Sequence, residues 1–311
     1  MKLRSFFVFF ALSPTLSRQR ERGLNDSPRP LAGEGLGERV LFRGCTFLIF
    51  LLLASCANVA PEQRQATATA LTAAQGWQKL RLPTDNFILT AYVPNSIPTS
   101  DTLTIYIEGD GLAWLTSSIA SDDPSPRKPV GLELALRHPN QSVAYLARPC
   151  QYTGVNDWRN CQQSYWTGKR FAPEVIASSN QAIEVLKQRF EAKKLVLIGY
   201  SGGGAVAALV AARRHDVVRL VTVAGNLDHR AWTAKHRILP LSGSLNAADE
   251  WESLQNIPQL HLVGANDKNI SAEFAESYAE RFPPSRRPVI RVVPDADHGC
   301  CWVRNWPELL Q

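Results

Sequence analysis

The stretch Lys194-Leu195-Val196-Leu197-Ile198-Gly199-Tyr200-Ser201-Gly202-Gly203-Gly204 decides the reading of this chain. Leu195–Ile198 is a short apolar run of strand type that passes directly into Gly-x-Ser-x-Gly, and an Ala/Val-rich helical pattern follows from Ala205. A strand joined to a helix this abruptly holds Ser201 out at the tip of the turn in an unfavourable backbone conformation. The crowding leaves no room for side chains two positions either side, at Gly199 and Gly203. The same turn aims backbone N–H groups and a helix N-terminus at any oxyanion that forms beside the serine. A Gly-rich turn in which Ser201 only caps the helix has the same five residues, so the rest of the chain must choose between the two.

Outward from that turn, apolar runs recur at Phe87–Val93, Leu103–Ile107, Ser142–Ala147, Leu220–Val223, Leu260–Val263 and Val289–Val293. They are short, several are β-branched, and they show little polar alternation, as strands covered on both faces do. Helical patterns lie between them at Val130–Arg137, Pro173–Phe190, Gly203–Arg213 and Ala272–Arg281, the second with Val175, Ile176, Ala182, Ile183, Leu186 and Phe190 on one stripe. Alternating strands and helices predict an α/β fold, a doubly wound and mostly parallel sheet, in one domain. Ligands on such sheets bind at the carboxyl ends of the strands.

Chemistry-bearing residues stand at those ends. A seryl hydroxyl needs a base to take its proton, and the base needs a carboxylate to fix its tautomer. Gly264-Ala265-Asn266-Asp267-Lys268-Asn269-Ile270 follows one strand and Pro294-Asp295-Ala296-Asp297-His298-Gly299 follows the last. Ser201, Asp267 and His298 therefore occur in the order Ser…Asp…His, each just past a strand. Asp267 also suits a helix cap near Ser271, and Asp228, after the preceding strand, is a rival acid. His138, His215, His229 and His236 read as loop or helix-surface residues and His261 lies inside a strand, which leaves His298 as the base. Asp295 and Asp297 are expected to shape its turn.

With its elbow, its Gly-x-x-Asp-x-x-Ile stretch and its Asp-His-Gly stretch, the chain resembles the α/β-hydrolase superfamily over residues 86–311. The resemblance implies an α/β-hydrolase sheet with a minimal cap, since the insertion from Asp228 to Asn256 is too short for a large lid. It implies a serine hydrolase acting on small-molecule carboxylic esters without a cofactor. Thioesters or peptides are the close alternative, and a binding module that kept the fold is the other class. Glu108-Gly109-Asp110-Gly111 resembles the family's His-Gly-x-Gly loop with a glutamate in place of the histidine. By that likeness the backbone N–H groups of Gly202 and Asp110 form the oxyanion hole. The aromatic-rich segment Cys150–Phe171, with Trp114 and Trp302, either walls the pocket or packs a long loop.

The remaining features concern compartment. The formal charge is +6, but residues 1–56 hold eight of the 34 Lys/Arg and four of the 28 Asp/Glu, which leaves a net +2. No basic cluster of nucleic-acid type remains in that part, so no nucleic-acid partner is expected. Thr46–Ala54 is apolar, preceded by Arg43 and followed by Ser55-Cys56, with the length of a secretory h-region. Leu53-Ala54-Ser55-Cys56 resembles the bacterial lipoprotein box; an ordinary signal peptide or an uncleaved anchor is the alternative. The box implies lipidation at Cys56 and anchoring in the cell envelope, on the periplasmic face of the outer membrane because no aspartate follows the cysteine. Residues 1–39 look like translated upstream sequence, with the true start near Val40. The expected organisation is an extension and signal over 1–55, a tether over 56–85 and a catalytic domain over 86–311. Four further cysteines allow three pairings. Cys150–Cys161, closing a short loop, is the preferred one, and it leaves the adjacent Cys300 and Cys301, whose mutual disulfide is sterically demanding. Neither pair has zinc-type spacing, so no metal site is expected.

Overall fold

A computed structural model of the chain describes residues 60–311. Cys56, the apolar stretch before it and the expected start near Val40 lie outside the described residues. Eight strands form one sheet in the order β1-β2-β4-β3-β5-β6-β7-β8. They are β1 Trp77–Pro83, β2 Ile88–Pro94, β3 Thr102–Ile107, β4 Val143–Leu146, β5 Lys194–Tyr200, β6 Val217–Val223, β7 Gln259–Gly264 and β8 Val289–Val293. β1 and β2 run antiparallel at one end and the strands from β4 to β8 are parallel, so the sheet is doubly wound and mostly parallel as expected.

The absence of polar alternation has a direct cause. Leu195 and Leu197 of β5 pack into one layer with Val175, Ile183 and Leu186 of the helix Pro173–Arg189. Ile198 packs into the opposite layer with Tyr106, Tyr145, Trp302 and Trp306. Both faces of the central strands are thus buried, and each side chain loses water whichever way it points. In chain order the helices are α1 Pro61–Ala74, α2 Val130–Leu136, α3 Pro173–Arg189, α4 Gly202–Ala211, α5 His229–His236, α6 Trp251–Leu254 and α7 Ala272–Glu280. All ten residues of α4 are buried, which explains why its sequence is apolar on every side.

Two parts of the expected tether belong to the folded unit. Residues 61–74 form α1, which buries Arg64, Ala68 and Thr72 and ties to the domain through Arg64 and Asp123, 3.2 Å apart. Residues 77–83 form β1, paired along its whole length with β2. Ala57–Gln311 accordingly makes one compact unit, and it holds the entire sheet and both core layers. The tether expectation failed because the stripe that α1 buries is small or polar, and because β1 is an edge strand that alternates buried and exposed residues. Neither resembles the continuous apolar runs of the central strands.

Register places the functional ends together. Ile107 of β3 is level with Gly199 of β5, so the chain leaving β3 passes beside Ser201. Gly264 of β7 is level with Val293 of β8, so the turns carrying Asp267 and His298 emerge side by side.

Candidate active site

Ser201 sits between β5 and α4 with φ 51° and ψ −122°, in the left-handed half of backbone space that a serine rarely occupies. Its amide donates to the Val223 carbonyl at 2.9 Å and its carbonyl accepts from Asn226 at 3.1 Å, which hold the turn against β6. A Cβ on Gly199 would overlap the Gly203 carbonyl, and a Cβ on Gly203 would overlap the carbonyls of Ile107 and Glu108. These two glycines are therefore required by close backbone approach.

Ser201 Oγ lies 3.0 Å from His298 Nε2, and His298 Nδ1 lies 2.9 Å from Asp267 Oδ2. The Asp267 carboxylate is wholly buried, and its other oxygen accepts from the amides of Asn269 and Ile270, both at 2.8 Å. Asp267 thus caps its own turn with one oxygen and orients the histidine with the other, so the two roles weighed for it coexist. Asp228 instead caps α5, accepting from Arg230 and Ala231, and pairs with Arg281 at 2.9 Å. His261 is buried in β7 against Thr222, and burial lowers its pKa to about 3. Asp297 accepts from the amides of Gly299 and Cys300, shaping the His298 turn.

The chain leaving β3 carries two carboxylates with different surroundings. Glu108 is buried, and its oxygens accept from Gly109 N (2.9 Å), Gly131 N (3.1 Å), Leu132 N (3.3 Å) and Tyr145 Oη (3.1 Å). Burial raises its pKa to about 6 against the pull of those donors. Asp110 lies so close to Gly202 that a Cβ there would overlap its carboxylate. It accepts from Arg148 at 3.1 Å and Arg170 at 2.6 Å. Burial works to raise its pKa, and Arg170 and Arg148 outweigh burial and hold it below the ordinary carboxylate value. Each acidic side chain of this loop is held by its own donors, Glu108 by backbone amides and Tyr145, and Asp110, beside Gly202, by two arginines. Gln151 closes the arrangement by donating to the Gly109 carbonyl at 2.9 Å.

A sequence model of the family described as Serine hydrolase (FSH1) matches residues 133–293, more than half of the chain, from within α2 to the end of β8. The chain belongs to this serine hydrolase family. No curated protein matches it in sequence. Among solved structures, the hydrolase is similar to the esterase Pf2001 of Pyrococcus furiosus, with 15% identity and a TM-score of 0.51 over 81% of this chain and 89% of that one. It is also similar to a putative dienelactone hydrolase of Klebsiella pneumoniae, with 18% identity and a TM-score of 0.50 over 71% and 86%. Est1E of Butyrivibrio proteoclasticus is a third such structure, with 14% identity and a TM-score of 0.50 over 73% and 93%. At these identities the likeness concerns the α/β-hydrolase fold.

A cavity of about 770 Å³ opens over Ser201 and His298. Of the Cys150–Phe171 segment, Thr167, Gly168 and Arg170 reach it, while the rings turn elsewhere. Tyr152 and Trp166 are buried, and Tyr165 packs edge-on against Phe87 with centroids 4.9 Å apart. The packing reading of those aromatics is the correct one. Trp114 does line the cavity, Trp302 lies in the core instead, and Trp232 of α5 takes a place that sequence reasoning missed. The short 228–256 insertion also contributes Ile238, Leu239 and Leu241, so the minimal cap is an apolar wall.

Sequence reasoning also missed Arg148, Arg170 and Tyr200. Arg148 stands at the carboxyl end of β4, a position that carried a signal; Arg170, sixty residues from its partner Asp110, carried none. Tyr200 lies next to the serine, and its hydroxyl donates to the His298 carbonyl at 2.9 Å. Burial and the nearby carboxylates of Glu108, Asp267, Asp297 and Asp110 push its pKa up, so it remains a neutral donor. Cys150 and Cys161 are bonded, with Cα atoms 5.7 Å apart. Cys300 and Cys301 are bonded to each other, with Cys301 in the left-handed conformation (φ 78°). Among the described residues no cluster of His, Cys, Asp or Glu is arranged to hold a metal ion.

Proposed function

We propose that the hydrolase cleaves carboxylic esters through an acyl-enzyme on Ser201. His298 Nε2 takes the hydroxyl proton as Oγ attacks the acyl carbon, and it returns the proton to the departing alkoxide. Asp267 keeps the proton of neutral His298 on Nδ1 and stabilises the imidazolium that forms. The tetrahedral oxyanion is received by the N–H groups of Gly202, in the first turn of α4 where no intrahelical acceptor exists, and of Asp110. Glu108, Arg148 and Arg170 position that second donor, each through a carboxylate of the loop. Water attacks the acyl-enzyme by the same route in reverse.

The observation that carries the reading is the pair of hydrogen bonds from Ser201 to His298 and from His298 to Asp267 in a family of serine hydrolases. An ester is favoured over a peptide by the apolar wall that Trp232, Ile238, Leu239 and Leu241 give the cavity. The test is hydrolysis of a short and a long p-nitrophenyl ester by residues 57–311. Turnover lost in Ser201→Ala supports the reading, and turnover equal in the variant contradicts it. The lipoprotein box adds a second part: the domain is tethered through a lipidated Cys56 in a bacterial envelope, on the periplasmic face of the outer membrane. Radiolabelled palmitate incorporated by the full chain and lost in Cys56→Ala checks that part.

A further inference from the structure

Ten large apolar side chains are exposed among the described residues, and five of them flank one opening. Trp114, Ile238 and Leu239 line the mouth of the active-site cavity, and Leu115 and Ile119 belong to the same turn as Trp114. Leu239 is 84% exposed and Ile119 is 56% exposed. Neither apolar segment is loose chain. The turn is closed by Leu115 N donating to Ile119 O at 2.8 Å and Ile119 N donating to Thr116 Oγ1 at 3.1 Å. The second segment follows the end of α5, where Arg237 in the left-handed conformation closes the helix. Water is kept in contact with apolar surface at fixed points around a catalytic opening, an arrangement that marks a binding surface.

Basic side chains flank the same mouth. Arg237 precedes Ile238 and is exposed, Lys128 lines the cavity and is exposed, and Lys169 is exposed beside Gly243. Acids stand near them as well: Asp122 is exposed and accepts from Gln163, Glu133 is a half-buried neighbour of Lys128, and Asp295 and Asp297 are exposed in the His298 turn, where Asp297 is tied to the amides of Gly299 and Cys300. A second copy docked two-fold on this face would set basic flank against basic flank. An anionic lipid surface meets both features at once, taking apolar tips between its chains and basic side chains at its headgroups.

We infer that the mouth of the cavity docks on an anionic lipid–water interface, from which the hydrolase draws acyl esters. The substrate half of this inference rests on the proposed ester hydrolysis, and the docking half does not. Trp114, Ile238 and Leu239 line the same cavity as Ser201 and His298, so an acyl chain taken up at the rim lies within reach of the serine.

The test uses Ala57–Gln311, which is one compact unit and lacks both Cys56 and the apolar stretch before it, so no anchor can account for binding. It is sedimented with phosphatidylglycerol-containing vesicles and with phosphatidylcholine vesicles. The expected result is partitioning onto the anionic vesicles that weakens with added salt, and a decrease of about tenfold or more in Leu115→Ser/Ile119→Ser. Neither of those residues lines the cavity, so turnover of soluble p-nitrophenyl acetate by the double variant stays at the wild-type level, which also shows that it is folded. Failure to bind either vesicle, equal binding by the double variant, or a wild-type dimer that the double variant dissolves would each overturn the docking. Vesicle binding by a protein that cleaves no ester would overturn the substrate half and the hydrolase reading together.

Discussion

The elbow at Ser201 and the loop at Gly109–Asp110 face each other across the same opening, yet they are built in opposite ways. The elbow is made by its own neighbours. Gly199, Ser201 and Gly203 fix the turn, and the contacts that require them arise within five residues and the adjoining strand end. The loop proposed to supply the second oxyanion donor has almost no local means of holding its shape. Its geometry comes from Gly131, Leu132, Tyr145, Arg148 and Arg170, which converge on the carboxylates of Glu108 and Asp110, and from Gln151 on the Gly109 carbonyl, all from 23 to 60 residues away. A site needs both parts, but only the first leaves a compact trace in sequence.

Disrupting the two regions should give different signatures. Asp267→Asn retains the shape of the first region and reverses the hydrogen bond that sets the histidine tautomer. A fall in kcat of about 10⁴-fold is expected, with the thermal midpoint moved far less than the activity; steady-state kinetics beside a melt would show it. Asp110→Asn attacks the second region and leaves two guanidinium groups facing a neutral amide. Here the expected loss is about 10²-fold in kcat together with about 3 kcal/mol of stability, so denaturant titration and kinetics move together. A change in KM alone would mean that the loop binds substrate and does not serve the oxyanion.

Glu108 offers a smaller and sharper contrast, visible in pH dependence. Its folded pKa, about 6, lies above the ordinary value of 4.5. Between those values the folded state holds more proton than the unfolded one, so this group's contribution to stability falls as pH rises through that window. The integrated change is about 2 kcal/mol. Glu108→Gln removes it, so the difference in unfolding free energy between wild type and variant should shift by that amount between about pH 3 and about pH 7.5. Parallel pH profiles would mean that Glu108 is not the titrating group.

What could be read in the sequence follows the same division. The central strands β3 to β7 carried continuous apolar runs because both faces are buried, and the order Ser201, Asp267, His298 followed from the carboxyl ends of β5, β7 and β8. α1 was hidden because Arg64, Ala68 and Thr72 form its buried stripe, and β1 because it is an edge strand whose charged Lys79 and Arg81 face outward. Glu108 could be seen as a departure from a glycine-rich loop with histidine, but its four donors could not. Trp232 and Leu239 became cavity wall only when α5 was placed over the opening, a packing fact with no periodic signature.

The central claim is that Ser201 is a nucleophile made reactive by His298. A fluorophosphonate probe, followed by peptide mapping of the labelled protein, tests it most directly. The account predicts one adduct, on Ser201, formed rapidly by the wild type and at least about 10³-fold more slowly by His298→Ala. An unlabelled Ser201, or labelling at an equal rate in the variant, would contradict it.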